Sequence, residues 1–164
     1  MGFLNNLFKP KYKHSDVLVR LDAVKKLDDQ EILIEIVKNE PSGHIRAIAA
    51  SKITDQNILI DMAKNDENAD ARGAAVKKIN DQNVLIDVAK NDEDAQTRLK
   101  AVEKINDQNV LIDIARNDSA PIVRFEAIQK ISDVDVLEEI YRRDSDHVNR
   151  QSAISKVHKI KGLT

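Results

Sequence analysis

Six arginines, Arg20, Arg46, Arg72, Arg98, Arg124 and Arg150, stand 26 residues apart without a slip in register. Five acids keep the same period, at Glu40, Asp66, Asp92, Asp118 and Asp144. Two kinds of chemistry are open to such ladders. The arginines can pair with the acids, or an exposed stripe of guanidinium groups can bind anions. Pairing is favoured, because a buried ion left without its partner costs about 3–5 kcal/mol and the two ladders match in period.

Lysines recur as well, at Lys26, Lys52, Lys78, Lys104, Lys130 and Lys156. On a helix they lie about 120° around from the arginine. Across stacked helices roughly 8–10 Å apart they would form a line of about 50 Å, with Lys78, Lys104 and Lys130 in its middle, able to track phosphates. Asp22, Glu103 and Glu126 share that face, and no aromatic stacking platform accompanies it. Solvated repeat surface is the better reading of this line.

Other chemistries find little footing. The histidines, His14, His44, His147 and His158, have no recurrent spacing and none precedes a glutamate, so no metal-ligand pattern emerges. There is no cysteine, which excludes thiol catalysis, disulfides and thiolate-held clusters. Four glycines in all do not make a phosphate-cradling loop, and no Ser–His–Asp grouping rises above chance. The sequence therefore offers no catalytic residue, no cofactor-binding residue and no metal ligand.

The ladders belong to a repeated unit, seen most fully in NDQNVLIDVAKNDEDAQTRLKAVEKI from Asn80. A period of this length marks a stacked-repeat array. Asp29, Asp55, Asp81, Asp107 and Asp133 cap the first helix of each unit, and Leu33, Leu59, Leu85, Leu111 and Leu137 recur inside it. The second helix starts after Asp16, Ser42, Asn68, Asp94, Ala120 or Asp146. All but Ala120 can cap, and Pro121 suits the first turn there. That helix is expected to run about 12 residues. Alanine always follows the arginine by three residues, from Ala23 to Ala153, which implies close approach of two helices. Helices this short are marginal alone and must be held by stacking. The fold expected is all-α, an α-solenoid of about five and a half helix–turn–helix repeats.

Residues 1–13 stand outside the repeat, 14–158 form the array and 159–164 a tail. Phe3, Leu4, Leu7 and Phe8 have helical spacing before Pro10, with Lys9, Lys11 and Lys13 following. They either cap the first repeat or touch a membrane surface; eight residues bury too little for stable membrane binding, which favours the cap. The last unit, with Glu138, Tyr141, Asn149 and Gln151 at positions elsewhere mostly apolar, reads as the polar end of the array. Charged residues at 33% and aromatics at 3% fit a thin aliphatic core. A net charge of −2 advertises no general affinity for nucleic acid or acidic membranes. No apolar run approaches the roughly 20 residues of a membrane span, and MGFLNNLF lacks the features of a signal peptide and of a myristoylation site. A cytoplasmic location is the default expectation.

The turn pattern Asp-x-Asp-x-x-x-Arg followed by alanine, as in Asp92, Asp94, Arg98 and Ala101, resembles the HEAT-like repeats. The likeness is strongest to the short variety named after phycobilisome lyases, with the variant leucine-rich repeat as a second choice. It covers roughly residues 14–158. It implies a right-handed superhelix, with first helices on the convex side and second helices on the concave side. It also implies that the turn acid meets the arginine, within or between repeats. Such repeats serve scaffolds, lyases, hydroxylases and DNA-repair proteins alike, so the resemblance is specific for fold rather than activity.

Specificity is expected at positions that vary between units. One and two residues after the arginine, Ile48, Leu99 and Phe125 are candidate anchors for a partner, or are partly buried between neighbouring helices. The expected function is a non-enzymatic scaffold that binds a protein or peptide on the concave face, without a cofactor. The alternatives are a bilin-lyase-like subunit, by family analogy, and phosphate-backbone binding along Lys78, Lys104 and Lys130.

Overall fold

The computed structural model describes residues 10–163. Among them, a 3₁₀ turn at Lys11–Lys13 precedes eleven α-helices. These are α1 (Val17–Lys25), α2 (Gln30–Asn39), α3 (Gly43–Lys52), α4 (Gln56–Asn65), α5 (Ala69–Lys78), α6 (Gln82–Asn91), α7 (Ala95–Val102), α8 (Gln108–Asn117), α9 (Pro121–Lys130), α10 (Val134–Arg143) and α11 (His147–Lys161). The even-numbered helices up to α10 are the first helices of the units, and the odd-numbered ones are the second helices. No strand occurs among the described residues, and no helix there is long and apolar enough to cross a membrane. The apolar residues of the expected N-terminal arm, Phe3, Leu4, Leu7 and Phe8, lie outside the described residues.

Local chemistry sets the helix starts. Asp29, Asp55, Asp81, Asp107 and Asp133 are the N-caps of the first helices, and each side chain accepts hydrogen bonds from amides two or three residues on. Such caps contribute about 1 kcal/mol apiece. Asp16, Asn68, Asp94 and Asp146 cap second helices in the same way. Ser42 makes no side-chain cap bond, and α9 starts on Pro121 after the uncapped Ala120. The expected length of about 12 residues is corrected: α1, α3, α5, α7 and α9 have 8 to 10 residues. In α3, α5 and α9 the cause is visible, because buried Ile53, Ile79 and Ile131 take extended backbone and turn the chain toward the next helix. α11 runs to 15 residues and ends on Gly162, whose φ of 66° a side chain would resist.

The chain forms two compact units, Met1–Ile79 and Asn80–Thr164. In the first, α1, α3 and α5 pack side by side, with α2 against α3 and α4 against α5. In the second, α7, α9 and α11 pack side by side; α6, α8 and α10 each lie against their second helix and touch one another only lightly. Each unit is thus a stack of helix pairs, joined mainly through its second helices. Leu33 and Leu59 in the first unit, and Leu85, Leu111 and Leu137 in the second, are fully buried, each stabilising by roughly 1.5–3 kcal/mol. Ala49, Ala75, Ala101, Ala127 and Ala153 are also fully buried, and their small side chains permit the close packing of the second helices.

Candidate interaction surface

The arginine and acid ladders meet between repeats. Arg46 donates from Nε and Nη2 to the two carboxylate oxygens of Asp66, at 2.8 and 2.7 Å. Arg20 holds Glu40, Arg98 holds Asp118 and Arg124 holds Asp144 by the same two-pronged bond. The third prong, Nη1, donates to two carbonyl oxygens of the arginine's own turn, those of Glu40 and Pro41 in the case of Arg46. The carboxylate then accepts from the amide two residues on, Ser42 for Glu40 and Asn68 for Asp66. Arg72 is buried and donates from Nη1 to the Asp66 and Glu67 carbonyls, while Asp92 accepts from the Asp94 amide. Guanidinium groups so engaged are not a stripe for external anions.

Burial opposes ionisation of Glu40, Asp66 and Asp144, but hydrogen bonds from the arginine and the turn amide outweigh it. Each carboxyl titrates below its ordinary value. The carboxylate hydrogen bonds, working against burial, raise Arg20, Arg46, Arg98 and Arg124 above theirs. Arg150 keeps its Nη1 bonds to the Asp144 and Ser145 carbonyls, at 2.8 and 3.1 Å, but meets no carboxylate among the described residues.

The lysine line is corrected too. Instead of standing in solvent, Lys52 donates to the Lys25 and Leu27 carbonyls at 2.7 and 2.6 Å. Lys130 donates to those of Val102 and Glu103 at 3.1 and 2.7 Å, and Lys156 to those of Ile128 and Gln129. Each ammonium caps the C-terminal end of the preceding second helix, where orphan carbonyls and the negative end of the helix dipole favour a cation. Burial pulls the titration of Lys104, Lys130 and Lys156 below the ordinary lysine value. Lys78 and Lys104 are half-buried. A parallel device escaped the sequence reading: Gln30, Gln56, Gln82 and Gln108 donate to the carbonyls of Lys52, Lys78, Lys104 and Lys130. Its signal was the Asp-Gln pair that opens the first four complete units.

What the ladders leave open is the outward face of the second helices. Ile48 on α3, Leu99 on α7 and Phe125 on α9 are each half-buried. Phe125 lines an apolar recess, a shallow cleft of about 310 Å³ shared with Pro121, Ile122, Asp146, Val148 and Asn149. Ile122 is 46% and Val148 60% exposed, an arrangement that suits an apolar side chain of a partner. Both residues stand two before an arginine, a position that varies from Leu18 and His44 to Asp70 and Gln96; that variation was the overlooked signal. A larger groove of about 520 Å³ lies between α2 and α4, but Glu40, Arg46 and Asp66 in its lining already bond one another or a neighbouring rung. Among the described residues, no group of three or more His, Asp or Glu could hold a metal ion.

No protein-family model, curated protein or solved structure matches the chain.

Proposed function

We propose that the chain is a cytoplasmic, non-enzymatic scaffold of the HEAT-like kind, which binds a protein or peptide on the outward face of its second helices. The observation that supports this reading is the open apolar cleft of Ile122, Phe125 and Val148. Large exposed aliphatic side chains grouped around an aromatic ring mark interaction surfaces more often than scattered ones do. The internal engagement of Arg20, Arg46, Arg98, Arg124, Lys52, Lys130 and Lys156 takes the most regular cations away from a phosphate-tracking role.

The test is capture from native lysate by the full chain, with and without nuclease, beside Leu99→Asp/Phe125→Asp and Val148→Asp variants checked for helix content. A stoichiometric protein retained by the wild type and lost with Val148→Asp is the expected result. Nucleic acid retained by all the chains at low salt and released at high salt would overturn the reading.

A further inference from the structure

We propose that the Phe125 cleft is a receptor for a tryptophan side chain of another protein, recognised by the side-chain oxygen of Asn149. The inference rests on the reading of that cleft as a docking surface and names what enters it. At the position just before the arginine, the other units carry Val19, Ile45, Ala71, Thr97 and Val123; α11 carries Asn149. The polar residue among the others, Thr97, has its hydroxyl engaged by Asp94 at 3.0 Å. Asn149 is only 1% exposed. Its Nδ2 donates to the Pro121 carbonyl at 3.1 Å and to Asp144 Oδ2 at 3.4 Å. Two acceptors at that end fix which way round the amide stands. Its Oδ1 accepts no hydrogen bond among the described residues. No buried side-chain nitrogen or oxygen among those residues lacks a partner, so Oδ1 reaches solvent, and the cleft that Asn149 lines is its opening.

The cleft's chemistry selects the occupant. It lies between α9 and α11, which pack side by side, and its walls are Pro121, Ile122, Phe125 and Val148. The side-chain polar atoms it leaves free are acceptors: Asn149 Oδ1, and the second oxygen of Asp146, whose first accepts the Asn149 amide at 3.0 Å. An indole has the matching set, a broad apolar ring with one N–H donor and no acceptor. A phenol would bring an acceptor that no free side-chain donor meets. An aliphatic side chain would cover Oδ1 and leave it without a partner, which costs affinity. A volume of about 310 Å³ stands at the lower end of the roughly 300–1,000 Å³ of ligand pockets, room for one large side chain. This chain contains no tryptophan, so a second copy of it cannot supply the indole.

The same lack of tryptophan supplies the assay, because indole emission excited beyond the tyrosine band comes from the probe alone. The probe is the peptide acetyl-Gly-Trp-Gly-amide, titrated with the full chain. Its emission is expected to move to shorter wavelength and to saturate at or below millimolar chain. The same peptide with a 1-methylindole ring keeps the shape and loses the N–H, and should bind about fivefold more weakly or worse. Asn149→Val installs a residue of the other units at this position. It should keep the thermal midpoint near that of the wild type and bind the two rings alike. Equal binding of the two rings by the wild-type chain would overturn the proposal, a comparison that needs no variant to fold. So would discrimination that persists in Asn149→Val. A leucine or arginine peptide that displaces the indole as well as the tryptophan peptide does would also overturn it; loss of that binding in Val148→Asp would keep the cleft as a docking surface of another preference. No emission shift with millimolar chain would overturn the tryptophan assignment and leave the lysate capture to judge the scaffold separately.

Discussion

Two ion pairs in the second unit join the same successive repeats. Arg124 and Asp144 meet at the level of the turns, with side chains 8% and 3% exposed; Arg116 on α8 and Glu139 on α10 meet at 42% and 31%. Both carry unlike charges at bonding distance, and both acids belong to series that recur with the repeat. The difference is what surrounds them. Around Arg124 the guanidinium is held by two carbonyls and the carboxylate by a turn amide, so losing either partner strands a desolvated charge. Arg116 and Glu139 can each return to water. Periodicity identifies a rung, but burial decides what it is worth.

Acid should break the buried class as a whole, and that is the largest effect expected. Because Glu40, Asp66 and Asp144 titrate below their ordinary values when folded, their contribution is complete above the usual carboxylate value near pH 4. It is lost as pH falls through the lowered folded values, since the unfolded chain then binds more protons. Urea titrations followed by circular dichroism should show stability nearly level from about pH 7 to 5 and falling below about pH 4. An unchanged midpoint at about pH 3 would contradict this.

Next in size is Arg124→Ala, which leaves Asp144 buried with its main cation gone and should cost about 3–5 kcal/mol. Thermal and urea unfolding both report it, and a loss under about 1 kcal/mol would place this rung with the exposed pairs. Lys130→Ala sharpens the comparison from between the two classes. Its ammonium meets two helix-end carbonyls at a half-buried site, so a loss of roughly 1.5–3 kcal/mol is expected, in the range for hydrogen bonds made by charged groups. A lysine merely standing in solvent would give no measurable change. The smallest effect is that of Arg116→Ala, within about 1 kcal/mol and shrinking further in high salt. A salt-independent loss equal to that of Arg124→Ala would erase the distinction.

The two ends of the repeat pattern make a second contrast. At α1, Val19 and Ala23 are half-buried while Val24 is fully buried; at α11, Ala153 is fully buried while Ile154 is half-buried. Position three after the arginine therefore faces the preceding repeat and position four the following one.

Much of this was legible in the residues themselves. Caps such as Asp55 and Asp107 act within one turn, on amides two and three residues away. A sequence shows such neighbours directly, so the helix starts could be placed from the chain alone. The 26-residue register fixed which residues form ladders, because every unit must present the same face to its neighbour. It left open whether an acid serves an arginine of its own unit or of the one before. Stacking chose the latter, as Arg46 with Asp66 shows. Stacking also turned Lys52, Lys130 and Lys156 from presumed solvated charges into helix caps, because only packed helices bring an ammonium to carbonyls 27 or 28 residues earlier in the chain. The cleft at Phe125 has the same origin. Periodicity gives the angle of a side chain around its own helix, whereas the spacing between helices decides that Ile122 and Val148 stand open beside it.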